Sequence, residues 1–387
     1  MGESPKRDEA RIERARSFFE THRAWLIDRI DTYIKVETPT SAFDRLDELA
    51  AIVEEDLIAL GAKVVREDHR PRPVVARFEN GPSTRPPELL LVYHHDTVWP
   101  VGSFERTGVE GNRWYGPGIF DMKANLPIGL LCLRYFRSHA PESMSRLGLI
   151  SSPDEETMGP VSRTILPRHA RGARWALVFE PHMPDGGFKN RRKGVGRIQL
   201  KFRGLATHAG NHYAAGKSAL RAASHFLLAA EAQTDLVAGR TVNVGLLSGG
   251  SAVNTRPGEA DMSVDVRVTT ADQWDAFLAF VAAYRDPDGV EIDMDVAPLL
   301  PPLEAEHEGW SALERLCAQL GQPYTRGMAG GGSDGSHLAQ LGIKVLDGLG
   351  VAGAGEHATH EHILVDGLFD AFVRSLGLIE ELLALPR

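Results

Sequence analysis

Apolar residues recur along this 387-residue chain with two periods, and the places where the period changes outline its architecture. Ile12, Ala15, Phe19, Leu26, Ile30 and Tyr33 recur at helical spacing over about 9–35, and Pro39 punctuates the end. Leu46, Leu49, Val53 and Leu57 predict a second amphipathic helix over 42–60, stopped by Gly61. Short strands are expected at 63–65 and 74–78, followed by a proline-rich link at 81–87. Three apolar runs then share one design. Residues 89–93 end in His94-His95-Asp96, residues 146–150 lead to Asp154-Glu155-Glu156, and residues 174–179 end in Glu180. An apolar run that ends in charge reads as a buried strand delivering its C-terminal end into a cleft, where open α/β sheets bind ligands.

Near Lys193 the pattern changes. Residues 195–202, 242–247 and 260–268 alternate like strands exposed on one face, while 217–232 and 273–284 are helical. This predicts an α+β unit inserted into the first domain, with residues 1–192 and 299–387 as one domain and 193–298 as the other. After residues 298–302 the helical period returns at 310–320, 336–341 and 364–385, with a short strand at 343–346. The expected fold class is α/β, a mixed sheet with helices on both faces, plus the inserted α+β domain.

Composition narrows the class without naming a function. A content of 43% hydrophobic and 25% charged residues is that of an ordinary globular protein. The net charge of -9 argues against nucleic acid or an anionic membrane as partner. Cys132 and Cys317, both in apolar helical patterns, exclude a disulfide framework and suggest a reducing compartment. With no signal-type stretch and no run of transmembrane length, a cytoplasmic protein is expected.

The polar ends of the strands carry the candidate chemistry. His94 and Asp96 are two apart on an extended chain and point to one face, so one could ligate a metal while the other fixes the imidazole from behind; a surface pair is the alternative. Asp121 follows the glycine-proline turn Tyr115-Gly-Pro-Gly118, just before a helix carrying Leu126, Leu130 and Leu133. Asp154, Glu155 and Glu156 repel one another unless a cation sits among them, although such runs also cap helices, here one starting near Pro160. Taken together, His94, Asp96, Asp121, Glu155, Glu156 and Glu180 converge at one sheet edge if the strands are parallel neighbours, and a divalent metal would supply the missing positive charge. His208, within Gly204-Leu-Ala-Thr-His208-Ala-Gly210, is open to a structural or a functional role. The tract from Gly355 to His362 reads as a surface stretch or as a loop completing a metal site.

In family order these motifs resemble the M20 family of metallopeptidases and amidohydrolases, in its glutamate carboxypeptidase and acetylornithine deacetylase branch. They are His94-x-Asp96-Thr97-Val98, Tyr115-Gly-Pro-Gly118-x-x-Asp121-Met-Lys123, Asp154-Glu155-Glu156, Phe179-Glu180-Pro181, Thr207-His208-Ala-Gly210, Asn254 with Arg267, Gly330-Gly-Gly-Ser-Asp334, and His357. The resemblance implies two zinc ions per subunit, with cobalt or manganese as alternatives, bridged by Asp121. His94 and Glu180 would hold one ion, Glu156 and His357 the other, and Asp96 would orient His94. It also implies a cis peptide at Asp121-Met122, a metal-bridging hydroxide with Glu155 as its general base, and a homodimer in which His208 reaches the other subunit's site. Asn254 and Arg267 would hold the substrate, with Lys193 as a further contact. His360 and His362 depart from the pattern, which leaves open what supports His357. His95 is unusual too and should point away from the metals.

The implied activity is hydrolysis of the amide bond of a small N-acyl amino acid or dipeptide with a free carboxylate. A dipeptidase or aminopeptidase on the same scaffold, a hydrolytic deaminase of an amino-substituted ring, and a non-catalytic metal-binding protein are the alternatives.

Overall fold

The computed structural model describes residues 5–78 and 86–386, so residues 81–85 of the proline-rich link lie outside the described residues. The chain divides into two compact units, residues 1–190, 304–328 and 333–387 in the first and 191–303 with 329–332 in the second.

The first unit is a mixed α/β structure. Its sheet runs Lys63–Val64, Val74–Arg77, Leu147–Ser152, Leu89–His94, Trp175–Val178, Lys344–Asp347 and on to Phe188–Arg192. The Leu89–His94 strand pairs in parallel with Leu147–Ser152 on one side and with Trp175–Val178 on the other. Trp175–Val178 in turn runs parallel to Lys344–Asp347, so the centre of the sheet is a four-strand parallel block. The register puts His94 opposite Ser152. The three polar strand ends thereby open at one edge. Every residue of Leu89–His94 and Leu147–Ser152 is buried, which requires cover on both faces and explains why these segments are unbroken apolar runs.

The cover comes from two sets of helices. Pro160–Ala170 and Asp334–Ala339 pack against each other and on the strands Leu147–Ser152, Trp175–Val178 and Lys344–Asp347. Pro5–Lys35, Asn125–His139, Glu308–Leu320 and Gly367–Ala384 pack together as the other set, around Phe19, Leu26, Ile30, Leu130, Leu313, Leu316, Phe372 and Leu376. A smaller antiparallel sheet of Gly353–Ala354, His362–Leu364, Arg113–Tyr115 and Gly108–Glu110 sets His362 opposite Tyr115.

The second unit is an antiparallel sheet in the order Thr241–Gly249, Glu259–Val268, Gly194–Arg203, Glu291–Val296, with helices Ala219–Glu231 and Ala271–Ala283. Alternate residues of Glu259–Val268 are buried, so Ala260, Met262, Val264, Val266 and Val268 form a core with Phe202, Phe226 and Phe277. Ser218 and Thr270 cap the two helices by accepting from Arg221 N and Gln273 N. A second, two-strand ladder joins Thr207–His208 to Thr255–Arg256.

The elements match the periodicity closely where a face is buried. Phe188–Arg192, Glu291–Val296 and the Gly108–Tyr115 hairpin are strands that the hydrophobic pattern does not announce.

Candidate metal centre

Three chain segments bring acids and imidazoles to the open edge of the parallel block. The strand Leu89–His94 delivers His94, which is buried. Beyond Leu147–Ser152 the chain makes one tight turn, Glu155–Thr157, closed by Met158 at φ 55°. After Trp175–Val178 the chain reaches Glu180. Two loops complete the group. Gly118, at φ 69°, turns the chain into Ile119–Lys123, which carries Asp121 and a cis peptide at Asp121-Met122. His357 sits at φ 58°, a left-handed conformation that non-glycine residues seldom adopt outside constrained sites.

Asp121 is the hinge of the geometry. His94 Nε2 lies 3.0 Å from its Oδ1, and His357 Nε2 lies 3.4 Å from its Oδ2. Outside this pair, Glu180 Oε1 is 3.5 Å from His94 Nε2 and Glu156 Oε2 is 3.1 Å from His357 Nε2. One carboxylate therefore faces two imidazoles, each with its own flanking acid. Donor atoms of His94, Glu155 and Glu180, and of His94, Asp121 and Glu156, fall within 4.8 Å of one another, the spacing a bound ion requires.

The electrostatics favour a cation here. Burial, Asp121 and the hydrogen bond to His357 set Glu156 at about 7. Burial together with Glu180, Asp334 and Glu156 raises Glu155 well above the ordinary carboxylate range. Burial opposes the charged form of His94, yet Asp121 and Asp96 raise it well above the ordinary imidazole value. His357 is pushed up to about 10 by Asp121 and Glu156. Without a metal the carboxylates therefore hold protons on the two imidazoles. Glu156 Oε1 is buried with no hydrogen-bond partner, a lone pair that a cation would satisfy. Nitrogen and oxygen donors in this ratio suit zinc, with cobalt and manganese behind it.

A supporting layer fixes these groups. His94 Nδ1–H donates to the Asp96 carbonyl at 3.1 Å, which frees Nε2 for Asp121 and Glu180. The Asp96 carboxylate, fully buried, accepts from Glu155 N and Glu156 N at 3.1 Å each and from Thr40 Oγ1 at 2.7 Å. It thus orients the acidic turn as much as the imidazole. Asp154 faces away and accepts from Val161 N and Ser162 N at 2.8 and 2.9 Å, capping Pro160–Ala170. The acidic triplet consequently serves both readings, one acid for the helix and two for the cluster.

Glu361 is the member of the site that sequence reasoning passed over. Its carboxylate accepts from Gly118 N, Phe120 N and Asp121 N at 3.1, 2.9 and 3.0 Å, and from the Trp99 indole at 2.7 Å. It therefore holds the loop that aims Asp121. Four donors on one buried carboxylate explain why an acid stands in a histidine tract. The signal for it in the sequence is its place four residues after His357, between His360 and His362. His362 instead bonds the His360 carbonyl at 2.8 Å and lies 5.2 Å from the Tyr115 ring. His95 is buried with Nδ1 2.9 Å from Ser151 Oγ and does not belong to the cluster.

The other residues singled out from sequence lie on the second unit. His208 Nδ1 accepts from Gly210 N and Asn211 N at 3.1 Å each, which places the ring proton on Nε2. Asn254 O accepts from Ala209 N at 2.9 Å. Arg267 pairs with Asp265 through Nε at 2.7 Å and Nη2 at 3.0 Å. Lys193 N donates to Ala329 O at 3.0 Å.

A parallel sheet whose strand ends gather carboxylates and imidazoles around a shared aspartate defines a metal-dependent hydrolase class. The comparisons agree, and this chain belongs to peptidase family M20/M25/M40, whose sequence model matches residues 90–381. Members of this family are peptidases and amidohydrolases that cleave amide bonds and depend on metal. The chain is 25% identical over 344 residues to carboxypeptidase G2 of Pseudomonas sp. strain RS-16, covering 86% of this chain and 83% of that protein. It is 28% identical over 333 residues to succinyl-diaminopimelate desuccinylase of Burkholderia mallei, covering 79% and 86%. Its fold superposes on an aminopeptidase, PepT, of Bacillus cereus with a TM-score of 0.75 at 19% identity, covering 92% of this chain and 98% of the other. A metallo-carboxypeptidase of Sulfolobus solfataricus gives 0.74 at 15% identity, with the same coverage.

Proposed function

We propose that this protein is a metal-dependent hydrolase cleaving the amide bond of a small N-acyl amino acid or dipeptide that carries a free carboxylate. The observation that carries the reading is the single carboxylate of Asp121 shared by two imidazoles, each flanked by its own acid. In this reading His94 and Glu180 would hold one zinc ion and Glu156 and His357 the other, with Asp121 contributing a carboxylate oxygen to each. When bound, the ions supply Lewis acidity and lower the pKa of water at the site.

The chain's own groups do the rest. Glu155 lies beside the cluster with its affinity for protons raised by burial and by neighbouring acids, which suits a group that takes a proton from water. It would then return that proton to the nitrogen of the leaving amine. Asp96 holds the Glu155 and Glu156 amides and so fixes the base relative to His94. The Nε2–H of His208 is a preformed donor suited to a developing oxyanion, supplied across a homodimer in this proposal. The second unit would serve dimerisation and closure, and Asn254, Arg267 and Lys193 would contact substrate.

The test is amine release across N-acetyl, N-benzoyl and N-glutamyl amino acids and plain dipeptides. Glu155→Gln should retain both metals and lose roughly 100-fold or more in kcat, the contribution typical of a general base. Turnover in that variant above about a tenth of the parent rate removes Glu155 from this role. Cleavage that ignores the substrate carboxylate removes the proposed substrate class.

A further inference from the structure

We infer that Asn125 is a positioning residue that fixes the spacing of Asp121 and Glu180 around His94. The inference rests on the metal-dependent reading above for what those three residues hold, and on hydrogen bonds within the first unit for the spacing itself.

Asn125 opens the helix Asn125–His139 and is followed there by buried Leu126, Ile128, Leu130, Leu131 and Leu133. A polar side chain in such a run costs free energy unless it is hydrogen-bonded. Asn125 is 1% exposed, and both ends of its amide are bonded. An asparagine at a helix start ordinarily gives its oxygen to N–H groups of its own first turn. Here the amide reaches outward instead. Nδ2 donates to Phe179 O at 2.8 Å, and Oδ1 accepts from Val351 N at 2.8 Å. A carbonyl only accepts and a peptide N–H only donates, so these partners fix which way the amide points.

The two partners lie at the ends of neighbouring parallel strands. Phe179 follows Trp175–Val178 and has Glu180 directly after it, while Val351 lies beyond Lys344–Asp347. Leu349 N to Val178 O at 3.2 Å and Gly350 N to Glu180 O at 3.0 Å join the same two ends. Asn125 closes that seam tightly. A Cβ on Gly350 would stand 2.8 Å from both Asn125 Nδ2 and Glu180 O, so the seam has no room for a side chain. Arg374, on the helix Gly367–Ala384, adds bonds from Nη2 to Leu349 O and Gly350 O at 3.2 and 2.9 Å.

In the other direction Asn125 leads back to the cluster. Lys123 N bonds Gly118 O at 2.8 Å and Ala124 N bonds Ile119 O at 3.1 Å, so the backbone between Asp121 and Asn125 belongs to one closed turn. A single side chain thus links the turn that carries Asp121 to the peptide that carries Glu180. Those two acids meet His94 Nε2 at 3.0 and 3.5 Å. The other half of the cluster is held by other bonds. Asp96 accepts from Glu156 N at 3.1 Å, and the loop of His357 is tied by Gly353 opposite Ile363 and Ala354 opposite His362.

The experiment is zinc titration against a competing chelator in the parent, in Asn125→Leu and Asn125→Asp, and in each of these combined with Glu180→Gln. Asn125→Leu removes both bonds. Asn125→Asp keeps the shape and the acceptor for Val351 N but turns a carboxylate oxygen toward Phe179 O, and it decides the matter if the leucine variant does not fold. Each should weaken one zinc step by about 10- to 100-fold, the effect typical of groups that orient metal ligands, and leave the other step at the parent value. Glu180→Gln weakens that same step by itself, so neither substitution should add to its loss. Urea unfolding of the metal-free proteins is read alongside. A variant that is less stable yet binds both ions as the parent does makes Asn125 a packing residue and overturns the inference. Equal weakening of both steps overturns it too, as does an effect that adds fully to that of Glu180→Gln. A parent that binds two ions while the variants lose neither leaves the two-ion reading standing without Asn125. A parent that binds one ion refutes the two-ion reading, and Asn125 keeps its role only if Asn125→Asp weakens that ion. A parent that binds none ends both.

Discussion

Single side chains decide this site through what they hold still. Glu361 is the clearest case, because its carboxylate collects three backbone N–H groups of the Gly118–Asp121 turn and the Trp99 indole. The position of Asp121 between the two imidazoles is then a property of that turn, and the turn is a property of Glu361. Glu361→Gln is nearly the same size, but one of its two acceptors becomes an NH2 group facing donors. Zinc titration of the purified variant should show affinity reduced by about 10- to 100-fold, the effect typical of groups that orient metal ligands. Equal affinity in parent and variant would make Glu361 a packing residue only.

At the scale of elements, the helix Pro160–Ala170 begins where the acidic turn ends, and Asp154 ties them together. Its carboxylate takes Val161 N, Ser162 N and the Ser162 hydroxyl, satisfying N–H groups that a helix leaves without internal partners. Asp154→Ala should lower unfolding free energy by about 1–2 kcal/mol in urea titration. Metal content should persist, since Asp154 itself faces the helix. The same helix packs on Asp334–Ala339, which carries His337. Burial and Arg163 hold His337 down at about 4. Between pH 6.5 and about 4 the unfolded chain therefore takes a proton that the native state refuses. His337 contributes no acid penalty above pH 6.5, and stability falls as the pH drops through that window. His337→Asn should flatten this part of the stability profile by up to about 3 kcal/mol at pH 4, read by denaturant titration at several pH values.

For the whole molecule, the second unit carries an open sheet edge. Among the described residues the Thr241–Gly249 strand pairs on one side only; Leu246 on it is 70% exposed and Leu228, on the neighbouring helix, 69%. An apolar edge strand of this kind invites pairing with another copy. Under the homodimer proposal, Leu246→Arg should convert the protein to monomer in light scattering. It should also reduce turnover with the metal content intact, because His208 would no longer reach its partner. A monomeric parent would remove the cross-subunit role of His208 altogether. Among the described residues no helix is long and apolar enough to cross a membrane.

Buried faces and motif order were legible in the chain alone. The runs ending at His94, Glu155 and Glu180 read as buried strands because burial on both sides demands unbroken apolar sequence. Their acids and imidazoles stood out because charge at the end of such a run is costly without a purpose. The mixed α/β fold and the M20 family followed from the same residues. Strands held by their neighbours were not legible. Phe188–Arg192 is polar along most of its length and is a strand because the sheet gives its backbone partners, and Glu291–Val296 has acids at alternate positions on its exposed face. Nor could spacing reveal that Glu361 holds the turn of Asp121, 240 residues away, or that Arg267 is paired with Asp265. Periodicity records what one element buries against the rest, so it resides in the sequence. Hydrogen bonds between distant segments depend on where the packed core sets each carboxylate, and only the tertiary structure decides that.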